Sequence, residues 1–194
     1  MRLAPLTPEE LAARGVDTAP YLVDFDELPG SVATLGYRPD ILNAVGGLWG
    51  AVMGGGLLDP ELKYLAGYLA SMAAGCRYCS AHTATNAAKA GRDSDRVAAV
   101  WSYERSPLFD ERERAALRFA QLAGQQPSGV TDADTDALKA IFSLEEIVAL
   151  LSVVCLYGFF NRWNDGLATT LEPTPRGFAT ANLGGHGWDL GVHG

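Results

Sequence analysis

Apolar positions in this chain recur at intervals of three and four residues, and no stretch alternates residue by residue as a strand does. Gly75 follows two alanines, at a position where a helix end easily becomes left-handed. The recurrence of apolar positions every three and four residues predicts an all-α chain of about seven or eight helices. After the helix start Asp59-Pro60-Glu61, for example, one helix face carries Leu62, Leu65, Ala66 and Leu69.

Capping sequences mark further helix starts, because Ser, Thr and Asp side chains accept hydrogen bonds from free amides of the first turn. A helix is predicted from near Cys76 to about Ala90, with Gly91 at its end. A long apolar helix is predicted to end near Asp165-Gly166. The capping residues are Thr7, Asp110, Thr131 and Ser143.

The chain is predicted to form one all-α domain over residues 1–172, with its core motif at 58–91. Prolines and glycines become frequent after Glu172. Residues 173–194 are therefore expected to form an irregular Gly-rich tail, in which Trp188 and Leu190 can dock. A chain of 194 residues can bury a core without disulfide bonds.

The charge balance restricts the class of partner. Fifteen Lys and Arg against 23 Asp and Glu give a net charge of -8, which argues against nucleic acid or an anionic membrane. The N-terminus lacks the apolar core of a signal peptide. The longest apolar stretch, Ile147 to Phe160, is about 21 Å long as a helix, against a hydrocarbon core of about 30 Å. We therefore expect a cytoplasmic protein without a membrane partner.

The residues with the clearest chemistry lie in the segment from Gly75 to His82, which contains Cys76-Arg77-Tyr78-Cys79. Residues three apart share a helix face, so Cys76, Cys79 and His82 form a stripe. Free amides and the dipole at a helix N-terminus stabilise a thiolate, and an imidazole one turn further can carry a proton. Two thiols at this spacing can close into a disulfide and so protect a sulfenic acid from overoxidation.

Three interpretations of this stripe remain open: redox chemistry of the two thiols, a zinc site, or two small buried residues beside a buried histidine. Structural zinc needs a fourth ligand, and the remaining histidines, His186 and His193, lie in the tail. Cys155, within an apolar run, is predicted to be a small core residue. The polar end of the long helix is expected to cap and solvate that helix, or to contribute to the site or to an intersubunit salt bridge: Asn161, Arg162, Asn164 and Asp165.

Taken together, Leu58-Asp59-Pro60, the Gly-Cys-Arg-Tyr-Cys sequence and the following Ala-His-Thr resemble the carboxymuconolactone decarboxylase and alkylhydroperoxidase D superfamily. The resemblance extends from about residue 30 to residue 172 and includes 111–117 and 161–165. It implies an all-α fold of repeated helical hairpins. It also implies a homo-oligomer, such as a trimer or a hexamer.

The peroxidase members of the superfamily imply a role for each motif residue. Cys79 would attack the O–O bond of a hydroperoxide, Cys76 would resolve the sulfenic acid, and His82 would relay a proton. The superfamily glutamate, twelve residues before the first cysteine, is replaced by Tyr64, whose ordinary pKa near 10 makes it a poor base at pH 7. Glu61, one turn earlier, is the other candidate for that role. His82 follows Cys79 by three residues, where the superfamily more often has four.

The sequence therefore predicts a thiol-dependent oxidoreductase that reduces hydroperoxides and is itself reduced by an external dithiol protein. This chemistry needs no haem, flavin or metal. One alternative is a carboxymuconolactone-decarboxylase-like lyase, against which the thiols count, because proton transfer does not need them. The other is a non-catalytic redox-sensing or binding oligomer, which the absence of glutamate at position 64 favours.

Overall fold

The computed structural model describes residues 1–22, 27–91 and 93–194. Over these residues it contains ten α-helices, three short 3-10 helices and no strand. The all-α prediction is confirmed, but the predicted number of helices is too low, because the shortest helices have six residues and are too short to show a periodic pattern. The α-helices are α1 Pro8–Ala13, α2 Gly30–Leu35, α3 Pro39–Gly54, α4 Pro60–Ala74, α5 Arg77–Gly91, α6 Ser94–Ala99, α7 Glu111–Ala123, α8 Asp132–Lys139, α9 Leu144–Leu167 and α10 Pro173–Leu183.

The predicted helix starts are confirmed by hydrogen bonds. Each capping side chain accepts a hydrogen bond from the third helical residue, whose carboxylate accepts one from the capping residue in return, at Thr7, Asp110, Thr131 and Ser143. Asp59 caps α4 by accepting a hydrogen bond of 2.8 Å from the Glu61 amide. Gly75 ends α4 with φ of 83°, the left-handed conformation that lets the chain turn directly into Cys76.

The core is centred on α4, which packs against α5, α7 and α9. Gly67 on α4 lies against the Tyr157 ring of α9, and a Cβ atom at position 67 would lie 2.4 Å from that ring. The two helices therefore approach each other closely at this point. A smaller apolar cluster lies at the N-terminal end of the chain and consists of Leu6, Leu11, Val16, Val32, Leu35 and Leu42.

Helix α9 has 24 residues and ends at Leu167, close to the end predicted near Asp165-Gly166. Among the described residues it is the one helix that is long and apolar enough to cross a membrane by length and composition. Core helices of soluble proteins also pass this test, and the buried face of α9 packs against α3, α4 and α5. Its other face, which we call the α9 outer face, carries the exposed side chains Leu144, Val148, Leu151, Cys155 and Phe159.

The prediction that Cys155 is a core residue is wrong, since its side chain is exposed. The uniformly apolar sequence of α9 does not reveal which of its faces is buried in the chain.

The C-terminal segment is also more ordered than predicted, since Pro173–Leu183 forms α10. Pro173 occupies the first helical position, where a proline favours a helix start. The irregular part then folds back onto α5, where the Trp188 ring nitrogen donates a hydrogen bond of 3.1 Å to the Ser80 hydroxyl. We call residues 184–194 the C-terminal tail; Trp188 and His193 within it are both buried.

We predict that Gly67→Ala destabilises the protein by about 1–3 kcal/mol, because the added methyl group collides with the Tyr157 ring. Urea unfolding measures the change. The matched control is Gly177→Ala on α10, where a new Cβ meets nothing within 4 Å and should stabilise the helix by up to about 1 kcal/mol. Equal stability of Gly67→Ala and the wild type would contradict the close approach of α4 and α9.

Candidate active site

The two motif cysteines lie at the beginning of α5, as predicted. Cys76 immediately precedes the first helical residue, and its sulfur accepts a hydrogen bond of 3.4 Å from the Cys79 amide. The Cys76 side chain thus occupies the position of a helix cap. The Cys79 sulfur, in turn, accepts a hydrogen bond of 3.4 Å from the Asn164 carboxamide of α9. Both thiols are free and buried.

Cys79 lies in the wall of a cavity of about 350 Å³ between α2, α3, α5 and α9. Cys76 is not among the residues that line it. The two thiols therefore differ in access, since only Cys79 faces the cavity. The wall is mostly apolar and aromatic, and its larger residues are Tyr21, Leu35, Leu42, Trp49, Tyr78, Tyr157 and Phe160, with His82, Asn86 and Asn164 among its polar residues.

His82 pairs with Glu172, at the N-terminus of α10. The His82 Nε2 atom lies 2.7 Å from one carboxylate oxygen of Glu172. The other oxygen accepts hydrogen bonds from the Tyr78 hydroxyl at 2.8 Å and from the Gly30 amide at 2.5 Å. Burial favours the neutral carboxyl group, but His82, Gly30 and Tyr78 outweigh burial and lower the pKa of Glu172 below 4.5. Glu172 is therefore a buried carboxylate at neutral pH.

Sequence reasoning did not find Glu172, because 90 residues separate it from His82 and no motif surrounds it. The two residues predicted as candidates for the acid-base position, Glu61 and Tyr64, do not line this cavity. The Glu61 carboxylate accepts a hydrogen bond of 2.8 Å from Arg96 of α6. Tyr64 packs against the main core, and neither residue lines the cavity. The structure therefore places Cys79 and His82 in the wall of one cavity, which neither Glu61 nor Tyr64 lines.

A second polar cluster lies behind Cys76. The Cys76 sulfur, a carboxylate oxygen of Asp165 and a ring nitrogen of His193 all lie within 4.8 Å of one another. His193 has Nδ1 2.8 Å from the Thr169 carbonyl oxygen and Nε2 3.1 Å from the Asp165 carboxylate. Because both nitrogens face oxygen acceptors, we describe this cluster as a hydrogen-bond network.

The expected solvating role of the end of α9 is wrong for Asn161 and Asn164, which are buried. Asn164 contacts Cys79, and Asp165 contacts His193. The sequence shows four polar residues at a helix end but not that α5 and the tail pack over them. In the described part of the chain, Cys76, Cys79 and His82 do not bring three ligand atoms within 4.8 Å of one another, as a shared zinc ion would require.

Comparison with known proteins now adds a family. Residues 39–122 match the family model of the carboxymuconolactone decarboxylase family. An uncharacterized protein, YnjA of Escherichia coli (strain K12), is 30% identical over 110 residues, which cover 57% of this chain and 60% of YnjA. The chain is thus similar to the carboxymuconolactone decarboxylase family over residues 39–122, and it spans less than two thirds of the length of YnjA.

Solved structures share the fold of this chain. The apo debrominase Bmp8 is 28% identical, with a TM-score of 0.84 over 90% of this chain and 94% of its own. A cysteine-to-alanine variant of Bmp8 in complex with 2,3,4-tribromopyrrole is 26% identical, with a TM-score of 0.87 over 93% and 97%. A peroxidase-related protein with an alkylhydroperoxidase D core from Ralstonia eutropha JMP134 shares the fold at 21% identity, with a TM-score of 0.75 over 92% and 94%. The superfamily thus includes enzymes.

We predict that Glu172→Gln lowers the free energy of unfolding by about 1–3 kcal/mol at pH 7, because His82, Tyr78 and Gly30 lose a charged acceptor. The lowered pKa of Glu172 stabilises the fold above pH 4.5, and this stabilisation is lost as the pH falls through the pKa in the folded protein. The difference between variant and wild type should therefore shrink below pH 4.5.

Denaturant unfolding at several pH values measures this difference. Exposed Glu111→Gln, which removes the same charge from the surface, is the control. A stability difference that stays constant down to pH 3 would contradict the buried carboxylate.

Proposed function

We propose that this chain is a dithiol reductase of apolar organic hydroperoxides, with Cys79 as the nucleophile and Cys76 as the resolving thiol. One observation carries this proposal: Cys79 lies in the wall of the apolar cavity, whereas Cys76 does not line the cavity and its sulfur accepts a hydrogen bond from the Cys79 amide. An apolar substrate can therefore reach Cys79, and a second thiol is available on the side away from the substrate.

The proposed cycle transfers two electrons from the thiols to the substrate. The Cys79 thiolate attacks the terminal oxygen of R–O–O–H, the O–O bond breaks, and RO⁻ leaves as ROH after taking a proton. Cys79 becomes a sulfenic acid. Cys76 then attacks the Cys79 sulfur, and water leaves as the disulfide forms. An external dithiol protein in the reducing cytoplasm restores both thiols by exchange.

His82 supplies the proton to the leaving RO⁻ group in this proposal. It lies in the cavity wall with Cys79, and its Nε2 atom is held by the Glu172 carboxylate. A carboxylate beside an imidazole orients the ring and fixes which ring nitrogen faces it. Glu172 thus takes the positioning role for which Glu61 and Tyr64 were candidates.

Two buried carboxamides support a substrate that donates a hydrogen bond. Asn86 and Asn164 line the cavity at 5% and 1% exposure. The carboxamide oxygen of each has no hydrogen-bond partner among the described residues. Such a buried acceptor costs about 1–3 kcal/mol until a donor fills it. The O–H group of a hydroperoxide is such a donor, whereas the carboxylate of a lactone acid is not, which disfavours the lyase alternative.

Reductive dehalogenation is the second candidate. It is favoured by the likeness to the debrominase Bmp8, whose variant was crystallised with 2,3,4-tribromopyrrole, and by the aromatic side chains Trp49, Tyr157 and Phe160 in the cavity wall. The electron balance is the same: an aryl bromide and two thiols give the reduced arene, hydrogen bromide and a disulfide. A pyrrole N–H group would also donate to Asn86 or Asn164.

The proposal predicts that cumene hydroperoxide oxidises the reduced Cys155→Ser protein to a Cys76–Cys79 disulfide, about tenfold faster than hydrogen peroxide does, because the cavity favours an apolar substrate. Stopped-flow mixing followed by thiol counting with mass spectrometry gives both rates. Cys155→Ser removes the exposed thiol from the count.

Cys79→Ser is the control and should abolish disulfide formation. If 2,3,4-tribromopyrrole instead releases bromide with loss of both thiols while cumene hydroperoxide reacts slowly, dehalogenation replaces the peroxidase proposal. Thiols that react with both compounds no faster than an ordinary exposed cysteine would overturn the reductase proposal.

We also propose that copies of the chain associate through the α9 outer face. Its apolar side chains lie three or four residues apart on one side of the helix, and Leu144 and Val148 are 66% and 64% exposed. Contiguous exposed apolar surface of this kind is typical of an interface between subunits. This use of the face accords with the homo-oligomer that the superfamily resemblance implies.

We therefore predict that Val148→Lys combined with Leu151→Glu lowers the mass measured by sedimentation to that of the monomer. Leu57→Lys, at a residue that is 56% exposed outside this face, should leave the mass unchanged. An unchanged assembly in the double variant would contradict this interface.

A further inference from the structure

The C-terminal tail places a positively charged imidazole beside the second thiol. His193 is 1% exposed, and its two ring nitrogens face the Thr169 carbonyl oxygen at 2.8 Å and the Asp165 carboxylate at 3.1 Å. Both partners can only accept hydrogen bonds, so each nitrogen must carry a hydrogen. The ring in this geometry is therefore an imidazolium, and the Cys76 sulfur lies within 4.8 Å of it.

The neighbouring charges do not replace this contact. The His82 and Glu172 side chains pair with each other, and Arg77 faces Asp189 at 3.8 Å. Among the described residues, the titratable and charged groups around Cys76 and His193 are Cys79 and Tyr78 from α5, Asp165 from α9, and the guanidinium of Arg2, which donates to the Asp165 carbonyl oxygen. Of these surrounding groups, His193 is the cation whose ring nitrogen converges with the Cys76 sulfur.

We propose that His193 is a catalytic residue of the resolving step, in which its imidazolium stabilises the Cys76 thiolate as this attacks the Cys79 sulfur. This inference rests on the proposed dithiol function, and it assigns the C-terminal tail to the active site. The superfamily cysteine motif does not include this residue.

Bonds and protons are conserved in the resolving step. The Cys76 thiol gives its proton to the Asp165 carboxylate, which is partly exposed and passes the proton to solvent. The thiolate then forms the S–S bond to Cys79 while the S–O bond of the sulfenic acid breaks. Solvent reprotonates His82 after the first step, and the departing hydroxide takes this proton on the cavity side and leaves as water. His193 keeps its charge throughout and acts by electrostatic stabilisation.

Cys76 needs such a partner because its surroundings oppose ionisation. The side-chain hydrogen bond with the Cys79 thiol and burial both raise the pKa of the Cys76 thiol, whereas His193 and the Cys79 amide lower it. Burial opposes the charge on His193 itself, but Asp165, Cys76 and the Thr169 carbonyl outweigh burial and raise the pKa of His193 to about 9. The imidazolium therefore persists at neutral pH, and its support of the thiolate is lost as the pH rises through about 9.

Hydrogen bonds hold the tail in this position. The Leu171 amide donates to the His193 carbonyl oxygen at 2.9 Å, and the Trp188 ring nitrogen donates to Ser80 on α5. The tail is thus anchored at Trp188 and at the backbone of His193 itself. The inference that this ring acts on Cys76 depends on a docked tail, which Trp188 fluorescence can report.

The first test measures the Cys76 thiolate directly in a Cys79→Ser, Cys155→Ser background, where Cys76 is the single thiol. Absorbance at 240 nm against pH, with the corresponding Cys76→Ser protein subtracted, gives the apparent pKa of Cys76. We expect His193→Gln to raise this pKa by about one unit, a tenfold loss of thiolate below the pKa. His186→Gln, at an exposed histidine of the same tail, should leave it unchanged.

A second variant separates charge from folding. Asp165→Asn keeps His193 but removes the carboxylate that favours its charge, so the pKa of Cys76 should again rise. Circular dichroism and Trp188 fluorescence select the variants whose tail remains docked. One unit of pKa corresponds to 1.36 kcal/mol. A Cys76 pKa that stays within 0.3 units of its value in the parent Cys79→Ser, Cys155→Ser protein, in both docked variants, would overturn the inference.

A kinetic test follows the sulfenic acid in the Cys155→Ser protein. His193→Gln should slow disulfide formation about tenfold and lengthen trapping of Cys79 by dimedone, while the initial reaction with cumene hydroperoxide changes less than about twofold. Equal slowing of both steps would overturn the assignment to the resolving step. A shifted Cys76 pKa in a protein that reduces no substrate would overturn the proposed function alone, because the absorbance test needs no turnover.

Discussion

The buried carboxylate of Glu172 is the interaction on which the site depends. A charge at 11% side-chain exposure is costly unless it is paired and hydrogen-bonded, and this one is held by α2 through Gly30 and by α5 through Tyr78 and His82. The same contacts that satisfy the charge fix the His82 ring in the cavity wall. Stability and the placement of the His82 imidazole therefore have one origin.

The site has two sides that meet at the cysteine motif. On the cavity side, Cys79 shares the wall with His82, and Asn164 donates to its sulfur. On the other side, Cys76 lies against Asp165 and His193, away from the cavity. Each thiol thus has its own imidazole and each imidazole its own carboxylate. Cys79 therefore faces the cavity, while Cys76 lies in the separate electrostatic environment of Asp165 and His193.

The features that were predicted correctly from the sequence are those formed by interactions between residues close together in the chain. Capping residues such as Thr131 and Ser143 and the left-handed Gly75 make hydrogen bonds within a few residues, so their role is visible in the sequence. The cysteine stripe at the start of α5 is equally local. Glu172 and His193 reach the site only through the packing of α10 and the tail, and no periodicity marks them. The exposure of Cys155 was not predicted either, because the sequence of a uniformly apolar helix does not show which face remains exposed.

The capping contact of the Cys76 sulfur has a consequence for the energetics of the redox pair. In the reduced chain this sulfur accepts the Cys79 amide and completes the first turn of α5. Forming the disulfide draws the same sulfur toward Cys79 and makes it a weaker hydrogen-bond acceptor, so its contact with the first turn weakens. Whatever free energy the contact adds to the dithiol form is reduced in the disulfide form. Helix integrity and electron affinity are therefore coupled, and a better capped helix makes the pair a stronger oxidant.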